Sequence, residues 1–121
     1  MSSRFSSVPP TVADRLRHIL HSIEEIQGLL ADASQQEFAD NRLLCLAVER
    51  LLEIVCETSR HIPAEAKERT PEIPWRRIAD LGNRLRHAYH QINSDLLWFI
   101  AKDDLPPLRA VIERLMAQDR A

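Results

Sequence analysis

Glycine is nearly absent from this chain, with two residues in 121. That scarcity, beside many Leu, Ala, Arg and Glu residues, favours helix over sheet. Cysteine is equally scarce. Cys45 and Cys56 lie eleven residues apart, roughly 16 Å along one helix, which forbids a disulfide within it. The plain reading is two buried thiols in a reducing compartment. No Cys/His cluster has zinc-site spacing, so no metal or other cofactor is expected. No apolar run approaches the roughly 18 residues of a membrane span, and the opening MSSRFSSVPP lacks an apolar signal core. Both point to the cytoplasm. Excess positive charge is missing too. A net charge of −2 argues against nucleic-acid binding by bulk charge, although Arg76, Arg77, Arg84 and Arg86 leave room for a local basic patch.

What is present is helical periodicity. Residues 1–9 read as a loose polar lead-in and residues 10–121 as one domain with a single core. Thr11, with Asp14 three residues on, is placed to cap a first helix. Val12, Leu16, Ile19, Ile23, Ile26 and Leu30 then step by four and three, a heptad-like seam that suits packing along another long helix. His18 and His21 fall at its border. Ser34 and Glu37 form a second capping box, and one helix is predicted from about Gln35 to His61. Its main stripe is Leu44, Val48, Leu51 and Val55, widened by Cys45, Leu52 and Cys56. Glu49, Glu53 and Glu57 form a ladder on a solvated face. Glu57 is also able to reach a basic group on a neighbouring helix. Pro63 to Glu68 suits a short helix. Leu96 to Ala101 is apolar all round and is expected to be buried. Pro106 and Pro107 fit the first turn of a last helix carrying Leu108, Ile112 and Leu115. The fold class is all-α: an antiparallel four-helix-type bundle with extra short helices, expected to form a homodimer.

The chain is organised around Ile73 to Trp98, IPWRRIADLGNRLRHAYHQINSDLLW, which holds the single Tyr and both Trp. Read as a helix that bends or frays near His90, it carries an apolar stripe of Trp75, Ile78, Leu81, Leu85 and Ala88. Arg76, Asp80, Asn83, His87 and His90 line another face. Such a line is commonly a solvated surface. It is also able to do phosphodiester chemistry. An imidazole shuttles the proton of a ribose 2′-hydroxyl or of the leaving 5′-oxygen. A guanidinium neutralises the charge of the phosphorane. Asn83, one turn before His87, orients the imidazole or donates to phosphate, and Tyr89 stacks on a base or reaches phosphate. In the bland alternative His87 caps a carbonyl, Tyr89 is a core ring and Arg84 pairs with Asp80. Periodicity alone does not choose between them.

Asn83-Arg84-Leu85-Arg86-His87-Ala88-Tyr89 resembles the signature of the HepT-like branch of the HEPN superfamily, an Arg-Asn pair, three residues, then His-x-Tyr. The flanks extend the likeness. Ile54-Val55-Cys56-Glu57 is similar to the family's second-helix pattern, Ile73-Pro74-Trp75-Arg76 to its entry to the motif helix, and Asp104-Leu105-Pro106-Pro107-Leu108 to its tail. The resemblance implies a HEPN-like bundle dimer with its site in the dimer cleft. It implies a metal-independent endoribonuclease toxin acting on RNA, silenced by an MntA-type minimal nucleotidyltransferase antitoxin that transfers AMP to the motif Tyr. Carried over, His87 matches the catalytic His, Tyr89 the AMP acceptor or nucleic-acid contact, and Asn83 the polar residue after the catalytic Arg.

The motif Arg does not carry over, because its position is Gly82. Arg84, an i,i+3 neighbour of His87, is the candidate replacement, with Arg76 and Arg86 as supporting phosphate contacts. The alternative is a catalytically degenerate HEPN-like module that partners the nucleotidyltransferase, or binds nucleotide or RNA, with Tyr89 accepting AMP. Gly82, costly inside a helix, suits a close backbone approach across an interface, or else marks a site that binds nucleic acid or nucleotide without cutting. Glu57 is expected to brace the motif helix through Arg84 or Arg86.

Overall fold

A computed structural model describes residues 10–87 and 93–120. The helices are α1 (Val12–Leu30), α2 (Gln35–Asp40), α3 (Arg42–Arg60), α4 (Ala64–Glu68), α5 (Trp75–Arg86), α6 (Ser94–Phe99) and α7 (Leu105–Arg120), with a π-helical turn, Ile100–Asp104, joining α6 to α7. Among the described residues there is no strand, as expected of an all-α bundle. The 1–9 lead-in and the predicted bend near His90 lie outside the described residues.

Both predicted capping boxes are formed. Thr11 Oγ1 accepts from the Asp14 N–H at 3.0 Å while the Asp14 carboxylate accepts from the Thr11 N–H at 2.9 Å. Ser34 and Glu37 reciprocate at 3.1 and 2.8 Å. The heptad-like seam of α1 is the centre of the core. Leu16, Ile19, Ile23, Ile26 and Leu30 are all buried, and α1 packs between α3 and α7. Arg109 on α7 ties the pair at its rim, donating to Gln27 at 2.6 Å and Glu24 at 3.1 Å.

The single helix expected from Gln35 to His61 is two helices. Asn41 adopts extended backbone, φ −109° and ψ 95°, and its side chain accepts from the Leu44 N–H, capping α3 afresh. The buried centre of α3 includes Val48, Leu52, Val55 and Cys56, while Leu44 and Leu51 are half-buried. Cys56 is buried as expected. Cys45 is only half-buried, its thiol donating to the Phe38 carbonyl at 3.2 Å.

In the LLWFIA segment Leu97, Ile100 and Ala101 are buried, but Phe99 is 52% exposed. Trp98 lies against Phe38 with centroids 5.7 Å apart, and Lys102 Nζ stands over its ring, 4.9 Å from the centroid. Pro106 and Pro107 do sit in the first turn of α7, yet no break precedes them. Two prolines in succession remove two amide donors. The π turn, closed by the Leu105 N–H on the Ile100 carbonyl, carries the chain through that gap without a loop.

Candidate active site at the end of α5

Helix α5 is held in place at its start by a polar clasp. Trp75 Nε1–H donates to Thr70 Oγ1 at 3.1 Å, and the buried Thr70 hydroxyl donates back to the Ala66 carbonyl at 3.1 Å. Further along, Ile78, Leu81 and Leu85 turn toward the core, as the apolar stripe predicts. Gly82 is buried, and helix α3 is the reason. A Cβ placed on Gly82 would stand 2.8 Å from Cys56 Cβ, closer than carbon atoms can approach without displacement. Gly82 is therefore a packing residue within one chain, where α5 crosses α3, and the close approach it permits is to Cys56 and not across an interface.

The polar residues of the motif separate into two groups. Arg84 lines a cavity of about 400 Å³ between α5, α3 and the α6–α7 segment, together with Arg77, Asp80 and Asp104 above an apolar floor that includes Leu52 and Leu108. The Arg84–Asp80 ion pair of the bland alternative is not formed; among the described residues Arg76, Arg77 and Arg84 have no carboxylate within 4.0 Å. Arg86 goes the other way. Its Nη1 donates to Glu57 Oε1 on α3 at 3.1 Å and its Nη2 donates to Asn83 Oδ1. Glu57 does brace the motif helix, through Arg86. The same carboxylate lies 3.7 Å from Arg60 and 3.4 Å from His61, so three basic side chains converge on it.

His87 is exposed and is the last described residue of the motif. It is the C-cap of α5, with φ −104° and ψ 16°, and its backbone N–H donates to the Asn83 carbonyl at 3.2 Å. Asn83 thus touches both neighbours, through its backbone to His87 and through its side chain to Arg86. Tyr89 lies outside the described residues. Close by, burial pushes the Cys56 thiol up to about 12, and the carboxylates of Glu53 and Glu57 push the same way, while the Arg86 guanidinium opposes them. The thiol is thus an inert packing group at neutral pH. Among the described residues no three His, Cys, Asp or Glu side chains gather as a metal set. Chemically, the end of α5 offers a solvent-accessible imidazole and amide, and a guanidinium held in a fixed plane.

Comparison with known proteins places this helix end in a family. The family model described as "Ribonuclease HepT-like" matches residues 19–115. A Methanocaldococcus jannaschii protein named "Putative RNase MJ1380" is 37% identical over 98 residues, covering 81% of this chain and 90% of that one. A Thermococcus cleftensis protein named "Probable ribonuclease HepT" is 36% identical over 102 residues, covering 84% and 93%. No solved structure matches the chain. The chain belongs to the HepT-like ribonuclease family.

Proposed function

We propose that this protein is a metal-independent endoribonuclease, the toxin of a pair whose antitoxin is a minimal nucleotidyltransferase, and that it works as a homodimer with its site in the dimer cleft. The observation that carries this reading is the end of α5, where an exposed His87 follows directly on an Arg86 guanidinium held by Glu57 and Asn83. The RNase names of the archaeal relatives support it. In the reaction the His87 imidazole takes the proton of a ribose 2′-hydroxyl as that oxygen attacks phosphorus. The bond from phosphorus to the 5′-oxygen then breaks, and the departing oxygen takes a proton from an imidazolium. A guanidinium, from Arg84 or Arg86, meets the extra negative charge of the phosphorane, and Asn83 donates to a phosphate oxygen. Leu43 and Leu46, one turn apart on α3 and 78% and 44% exposed, favour self-association. Light scattering during size-exclusion chromatography should return twice the chain mass, and a monomer at micromolar concentration contradicts the dimer.

The test of the activity is incubation with tRNA and mRNA in EDTA, beside His87→Ala. The wild type should cut, and the variant should be slower by about a hundredfold or more. Absence of cutting, or equal cutting by both proteins, removes the nuclease reading.

One observation favours a second reading. The motif Arg position is Gly82, packed against Cys56, which suits a degenerate module that serves its partner by accepting AMP on Tyr89. Incubation with ATP, magnesium and a cognate nucleotidyltransferase should then add the mass of AMP in the wild type and not in Tyr89→Phe. A shift that persists in Tyr89→Phe excludes that residue as acceptor.

A further inference from the structure

Position 82 has no side chain, but the space beside it is not without positive charge. Arg86 folds back one helical turn, and its Nη1 lies 3.9 Å from the point where a Gly82 Cβ would stand. The guanidinium is fixed at two corners, by Glu57 Oε1 at 3.1 Å and by Asn83 Oδ1. Those bonds use two of its five N–H donors. Its side chain is 34% exposed, so part of it stays open to solvent, next to the Asn83 side chain that accepts its Nη2–H. Asn83 in turn accepts the His87 N–H on its backbone carbonyl at 3.2 Å. Arg84, the nearer residue on a helical projection, instead borders the cavity on the α6–α7 side.

We infer that Arg86 supplies the phosphate-binding guanidinium of this site, standing beside Gly82, with Glu57 and Asn83 as the positioning residues that fix its plane. For the cleavage step the assignment rests on the ribonuclease reading; for phosphate binding it stands apart from it. A guanidinium clamped by a carboxylate on another helix presents a fork already oriented, so little side-chain freedom is lost when phosphate arrives. Lysine at 86 keeps the charge and loses the fork.

The test uses the full chain and its Arg86→Ala, Arg86→Lys and Arg84→Ala variants, each first checked by thermal melting. Binding is read by fluorescence anisotropy on a single-stranded 2′-O-methyl RNA, which lacks the hydroxyl needed for cutting. Cleavage is read on the unmodified strand in EDTA. Arg86→Ala should weaken binding about tenfold or more and slow cleavage about a hundredfold, both larger losses than in Arg84→Ala. Arg86→Lys, which serves if the alanine variant does not fold, should fall between wild type and Arg86→Ala. Added guanidinium ion should restore part of the cleavage in Arg86→Ala, which a purely structural role would not produce. A folded Arg86 variant that binds and cuts like wild type overturns the assignment, as does a larger loss in Arg84→Ala. Binding that depends on Arg86 without any cutting by the wild type supports the assignment and rejects the ribonuclease reading. Cutting that ignores Arg86 does the reverse.

Discussion

Gly82 on α5 and Cys56 on α3 meet at a distance that only glycine permits, since a Cβ at 82 would lie 2.8 Å from Cys56 Cβ. Gly82→Ala should therefore destabilise the fold. Crowding of this kind costs about 1–3 kcal/mol, and the gain from removing a helical glycine, about 1 kcal/mol, offsets part of it. In a Cys56→Gly background the clash is gone, and Gly82→Ala should instead stabilise by about 1 kcal/mol. Urea unfolding of the four proteins of this cycle checks the change of sign. Destabilisation of equal size in both backgrounds would place the cause elsewhere.

Cys56 also makes stability depend on alkaline pH. Its thiol ordinarily titrates at 9.0 and is pushed up to about 12 in the fold, chiefly by burial. Above pH 9 the unfolded chain loses this proton while the native chain keeps it. The native state then binds more protons, and stability falls as pH rises, by up to about 1.4 kcal/mol per pH unit. Between pH 9 and 10.5 the unfolding free energy of the wild type should fall more steeply than that of Cys56→Ala. Parallel curves would contradict the burial of the thiol.

The start of α3 depends on one side chain. Asn41 Oδ1 accepts the Leu44 N–H at 3.0 Å, so Asn41→Ala should cost about 1 kcal/mol in denaturant unfolding. Asn41→Asp should retain most of the stability, because it keeps the acceptor. An alanine variant as stable as wild type would mean that α2 and α3 fuse into one helix without loss.

These contacts show which parts of the molecule are readable from sequence. The α1 seam and both capping boxes are local patterns, where each residue's role follows from neighbours three or four positions away, and they hold. Asn41 is not legible as a cap because Leu44, not Glu or Gln, stands three residues on, so no reciprocal box marks the new start. The π turn before Pro106 was invisible because the prolines signal a helix start equally well after a loop. The site divides in the same way. His87 and Asn83 are candidates that the motif itself supplies. The choice between Arg84 and Arg86 does not, because a helical projection places Arg84 nearer to His87, while the direction of Arg86 is set by Glu57, 29 positions away on another helix. The space at Gly82 is likewise determined by Cys56, a tertiary contact that no local spacing encodes.

The most direct measurement of the central claim uses a DNA oligonucleotide holding a single ribonucleotide, incubated with the protein in EDTA and analysed by mass spectrometry. If His87 activates the ribose 2′-hydroxyl, the strand is cut only on the 3′ side of that ribose, and the upstream product carries a 2′,3′-cyclic phosphate or its hydrolysis product. His87→Ala should leave the strand intact on the same timescale. An uncut strand, cutting elsewhere in it, or cutting that persists in His87→Ala would contradict the account.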